Sequence, residues 1–76
     1  MITPSQCRAA RALLKWSQQE LANQAQVGIV TVRQFEGEAA EPRRATVAVI
    51  QGALEQAGIV FIAEDNGGHG VRLKKC

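Results

Sequence analysis

Arg33, Gln34, Arg43 and Arg44 are the side chains of this sequence best suited to a ligand rich in acceptors. The planar guanidinium of Arg33 can give two parallel hydrogen bonds to O6 and N7 of a guanine, and Gln34 can approach an adenine or a phosphate. Arg43 and Arg44 stand where a helix is expected to start, the end at which the helix dipole disfavours cations. That costly placement suits phosphate contacts; the alternative is a solvated basic corner. Ile29 and Val30, shortly before Arg33, have no hydrogen-bonding capacity. They can pack on thymine methyls or, equally, against a protein. Other chemistry is not indicated. His69 is the sole histidine, and Gly67-Gly68-His69-Gly70 lacks both the Lys-Ser/Thr and the following helix of a phosphate-binding loop. Cys7 and Cys76 offer neither a disulfide framework nor metal-ligand spacing, and no serine or cysteine has a base and an orienter close by in sequence. The expectation is no enzyme, no metal and no cofactor.

The element that must position these residues is the stretch from 17 to 36, SQQELANQAQVGIVTVRQFE. Ser17 followed by Glu20 is a capping box that starts a helix. Leu21, Ala22 and Ala25 fall on one face of it, and Val27 plugs the turn that follows. The next helix, about Gly28 to Glu36, turns Val32 and Phe35 to the same core and leaves Ile29, Val30, Arg33 and Gln34 outward. Two short helices so closely joined must cross steeply, as in a helix-turn-helix. Upstream, Thr3, Pro4 and Gln6 open helix 1 with another capping box, Cys7, Ala10 and Leu14 form its inward stripe, and Trp16 plugs the corner after it. Gly37 is expected to close the third helix in a left-handed conformation. A loop over 38–43 leads to a fourth helix that ends at Gly58, with Val47, Ile50, Ala53, Leu54 and Ala57 inward and Gly52 marking a close crossing. The period then changes. Ile59 to Ala63 is a continuous β-branched and aromatic run, Val71 to Lys74 alternates, and the stretch Glu64 to Gly70 between them is rich in turn residues, so a β-hairpin is expected.

The run W-S-Q-Q-E-L-A-N-Q-A-Q-V-G-x-x-T-V-R-Q-F-E resembles the helix-turn-helix of the Xre, or phage-repressor (Cro/C1-type), family, and the likeness extends over about residues 7–55. The resemblance implies a mainly α, four-to-five-helix lambda-repressor-like domain, here with a C-terminal β-hairpin. It implies that the helix near 28–36 reads bases in the major groove through Ile29, Val30, Arg33 and Gln34. Gln18, Thr31, Arg43 and Arg44 would hold phosphates, although the Thr31 hydroxyl can equally bond back to its own helix. Arg11 would pair with Glu36 and link helix 1 to helix 3. Two positions depart from the family pattern. Gln26 stands where glycine is usual, and would be strained by about 1 kcal/mol or more in a left-handed turn. Gly28 replaces the usual serine cap.

A chain of 76 residues makes one small domain of modest core. Residues 1–58 would form the DNA-binding part and 59–76 a hairpin for packing or dimerisation. The first strand is apolar on both sides, so both faces should be covered. A homodimer formed through Val60, Phe61, Ile62, Val71 and Leu73 would cover them; a monomer with the hairpin folded over its helices is the rival. The net charge of +2 permits a nucleic-acid partner without demanding one. The sequence contains no long apolar run and no signal-like leader, and two unpaired cysteines suit a reducing compartment, so a cytoplasmic protein is expected. The functional expectation is a transcriptional regulator, a repressor that binds double-stranded DNA. The competing class is a protein-interaction module on the same fold, for example one that binds a partner as an antitoxin does.

Overall fold

Side-chain caps start the first two helices of the computed structural model, which describes residues 2–37, 43–65 and 68–74. Helix α1 (Pro4–Leu14) opens with the full capping box: the Thr3 hydroxyl accepts from the Gln6 N–H at 3.1 Å, and Gln6 Oε1 accepts from the Thr3 N–H at 2.9 Å. Lys15 closes it in the left-handed region, φ 59°, and half-buried Trp16 then packs on the core. Helix α2 (Gln18–Ala25) forms the serine half of its box, with Ser17 Oγ accepting from the Glu20 N–H at 3.0 Å. Its cap, Gln26, does adopt the left-handed conformation, φ 57° and ψ 42°.

Helix α3 (Ile29–Glu36) starts at Gly28 without a side-chain cap. It ends at Gly37, which is not left-handed as expected but right-handed, φ −83° and ψ −3°. Space, not a positive φ, selects glycine there: a Cβ would stand 3.1 Å from the Arg33 carbonyl oxygen. Helix α4 (Arg44–Gln56) buries Val47, Ile50 and Leu54, and the reversal after it falls to Gly58 at φ 109°. The close crossing expected at Gly52 is absent, since a Cβ there would meet nothing within 4 Å.

Strands β1 (Ile59–Asp65) and β2 (Gly68–Leu73) pair antiparallel, with Ile59 opposite Leu73, Phe61 opposite Val71 and Ile62 opposite Gly70. The pairing slips between Ile62 and Asp65, which absorbs an extra residue on β1. The glycine-rich stretch therefore enters the ladder. His69 and Gly70 lie in β2, not in the longer loop expected from Glu64 to Gly70. The expected turn residues Asn66 and Gly67, residues 38–42 of the expected loop, and Cys76 lie outside the described residues.

The hairpin packs against α1 and α4 of its own chain. Ile59, only 2 % exposed, joins Leu21, Val32, Ile50 and Leu54 in one core, and Phe61 and Val71 lean on it from the same side. The chain by itself thus covers one face of β1. Alternation places Val60 and Ile62 on the other face, and Ile62 remains exposed. Among the described residues no helix is long and apolar enough to cross a membrane.

Two positions hold back stability that substitution should release. Gly52→Ala should stabilise by about 0.5–1 kcal/mol, because the helix gains propensity and the methyl meets open space. Gln26→Gly should stabilise by up to about 1 kcal/mol, because the left-handed penalty disappears. Thermal melts of each check this; a lower melting temperature for Gly52→Ala would show that the fold does not accommodate the methyl there.

Candidate nucleic-acid interface

Helix α3 has two sides. Val32, Phe35 and Glu36 are buried, whereas Val30, Arg33 and Gln34 are exposed, at the i, i+3 and i+4 spacing that puts them on one face. Ile29 departs from expectation. It is half-buried and packs on the core, because it lies three residues before Val32 and seven before Glu36 and so shares their stripe. The outward set is therefore Val30, Arg33 and Gln34. Thr31, in the first turn of the helix, is half-buried.

The inward side of α3 is held by one carboxylate. Glu36 is 3 % exposed, and four donors fill its two oxygens. Oε1 accepts from Arg11 Nη2 at 2.8 Å and from Gln18 Nε2 at 3.0 Å. Oε2 accepts from Arg11 Nε at 2.6 Å and from Cys7 Sγ at 3.2 Å. Arg11 also donates Nη1 to the Trp16 carbonyl at 3.1 Å, and Arg8 donates to the Glu36 backbone carbonyl. One anion thus ties α1, the corner before α2, the first turn of α2, and the last turn of α3.

Titration follows the same geometry. Burial alone would raise the Glu36 pKa, but the hydrogen bonds from Arg11, Gln18 and Cys7 outweigh it and hold the carboxyl below its usual range. Burial first, and then the bond to Glu36, push the Cys7 thiol up, so it is a protonated donor. The Arg11 guanidinium is held still more firmly charged by its bonds to Glu36.

The structure thus unites Arg11, Glu36 and Gln18. The Gln18 amide is turned to Glu36 by one N–H, which leaves its other N–H and its carbonyl oxygen at the start of α2 for a further partner. Arg43 and Arg44, at the N-terminal end of α4, are exposed. Among the described residues, neither they nor Arg33 makes an ion pair. The five hairpin residues expected at a dimer contact divide. Phe61 and Val71 are engaged with their own core, Leu73 is exposed on the same face, and Val60 and Ile62 lie on the outer one.

Two residues carry more than their sequence context suggested. Cys7, expected only as a small core side chain, is part of the Glu36 network. Gln6, read as a capping residue, also donates Nε2 to the carbonyls of Ile62 at 3.2 Å and Gly70 at 2.9 Å, and so fastens the hairpin to α1. Its position one residue before the inward Cys7 was the only available signal. A scan against protein-family models matches none of them, and a search of the curated proteins finds no relative.

Proposed function

We infer that this chain is a sequence-specific DNA-binding regulator of transcription, a repressor, whose α2 and α3 form a helix-turn-helix of the phage-repressor kind. The observation that carries this reading is the division of α3. Val30, Arg33 and Gln34 stand free on one face, while the other face is anchored through Glu36 to two more helices. A rigid helix with a free donor fork suits insertion into the major groove. In that pose Arg33 reads guanine, Gln34 reads adenine or a phosphate, and Val30 packs on a thymine methyl. Gln18, Thr31, Arg43 and Arg44 hold phosphates. A homodimer would present two such helices to two half-sites, joined through the outer hairpin face of Val60 and Ile62.

One observation favours a second reading. Val30 is 58 % exposed, the highest value among the large apolar side chains that stand out from the surface. That suits a protein contact made by α3 with little or no DNA binding.

Fluorescence anisotropy with random-sequence duplex DNA separates the two. Arg43 and Arg44 from each protomer make four phosphate contacts, so affinity should fall about a hundredfold between 50 and 200 mM salt. Arg33→Ala should then cost about 1–3 kcal/mol on a selected site while the melting temperature holds. Binding that ignores salt, or no binding at low salt, would transfer α3 to a protein partner.

A further inference from the structure

A second surface lies away from α3. The end of α1, the end of α4 and the end of β2 enclose an open groove of about 510 Å3. Leu13, Leu14, Ala57 and Leu73 supply its apolar lining, and Lys15 and Lys74 stand beside them. Leu13, 42 % exposed, and Leu73, 39 % exposed, would each be better buried, and both line this one groove. Lys15 and Lys74 are exposed, and neither makes an ion pair among the described residues. Helices α1 and α4 both end here, and their C-termini contribute roughly half a negative charge each, about −1 in all, against about +2 from the lysines. The groove is therefore apolar at its floor and positive at its rim.

We propose that this groove docks an acidic amphipathic helix of a partner protein, with leucine-like side chains on the floor and carboxylates against Lys15 and Lys74. Charge complementarity selects the occupant. A second copy of this chain seated by two-fold symmetry would bring lysine to lysine, which opposes it. An open groove would leave much of a fatty acid in water, whereas a helix needs to bury only its apolar face. None of the lining residues belongs to α2 or α3, so occupancy is compatible with α3 engaged elsewhere. A regulator bound through α3 would then carry a second protein on this surface.

The test is an NMR titration of the full chain with two synthetic helical peptides that share one leucine pattern, one flanked by glutamates and the other by lysines. The acidic peptide should shift the amides of Leu13, Leu14, Gly58 and Leu73. Lys15→Gln with Lys74→Gln should weaken it about tenfold. Leu13→Ser should abolish saturation while leaving the melting temperature within a few degrees, because Leu13 is half out in water already. No shifts with the acidic peptide, equal binding of the basic one, or shifts confined to α3 would each overturn the proposal. So would concentration-dependent shifts of the groove without peptide, which would assign it to a second copy, or saturation by laurate with no response to peptide.

Discussion

Arg11→Ala should lower the stability of this domain by about 3–4 kcal/mol and its melting temperature by about 12–30 °C. The substitution leaves Glu36, 3 % exposed, as a buried carboxylate facing only Gln18 and Cys7. Breaking one half of a buried pair typically costs about 3–5 kcal/mol, and the 19 % exposure of Arg11 moderates the value. A chain of this length holds only about 4–11 kcal/mol in total, and each kcal/mol is worth about 4–8 °C at this size. Glu36→Ala should cost less, about 2–3 kcal/mol, because the stranded guanidinium can turn to water. Replacing both at once, Arg11→Met with Glu36→Leu, should cost under about 1 kcal/mol, far less than those two substitutions made singly and summed, so that double-mutant cycle should show strong coupling.

The pH dependence has a definite sign. The folded Glu36 carboxyl titrates below its unfolded value of about 4.3, so the unfolded chain binds the proton first as pH falls. The pair's stabilisation is complete above about pH 4.3 and is lost as pH drops through the folded pKa. Urea melts from pH 7 down to pH 3 should show that loss in the wild type and not in Glu36→Gln. A melting temperature within a few degrees of wild type for Arg11→Ala would show that this pair does not hold the helices together.

Gln6 should be the next most sensitive polar residue. Its side chain makes three hydrogen bonds, to the Thr3 N–H and to the carbonyls of Ile62 and Gly70, while only 5 % exposed. At about 1 kcal/mol each, with a small cavity added, Gln6→Ala should cost about 2–4 kcal/mol. Gln6→Glu separates the two duties. The carboxylate can still accept from Thr3, but at pH 7 it sets oxygen against the two hairpin carbonyls. Helix α1 should stay capped while amide exchange in β2 accelerates by roughly tenfold or more. Unchanged protection of the Gly70 and Arg72 amides in Gln6→Glu would show that apolar packing alone docks the hairpin.

The function proposed for α3 depends on both residues in different ways. The Glu36 network fixes the angle at which Val30, Arg33 and Gln34 are presented, since α3 has no side-chain cap at Gly28 to hold its other end. Gln6 sets where the hairpin lies, and with it which of the residues expected at a dimer contact remain available.

Local signals carried most of the element plan. Thr3 with Gln6, Ser17, and the change of period at Ile59 act within one turn or along one strand, so they could be interpreted without knowing what lies across the molecule. The Arg11–Glu36 pair was expected by resemblance, and the structure forms it. The failures lie where packing decides. Gly37 was expected to be left-handed, yet the space around its absent Cβ is what selects glycine, and the close crossing expected at Gly52 does not form. Ile29 was placed outward by its position at the start of a helix, yet the packing of α3 turns it to the core. The bonds from Gln6 to Ile62 and Gly70 span most of the chain, and no local pattern encodes them. The sequence by itself determined where the helices and the first strand begin, because capping and periodicity are satisfied by neighbours a few residues away, whereas the second strand starts at Gly68, inside the expected loop. Only the tertiary structure decided which face of the hairpin is covered, which side of α3 is free, and that one buried carboxylate joins three helices, because desolvation and hydrogen-bond satisfaction depend on groups brought together from distant parts of the chain.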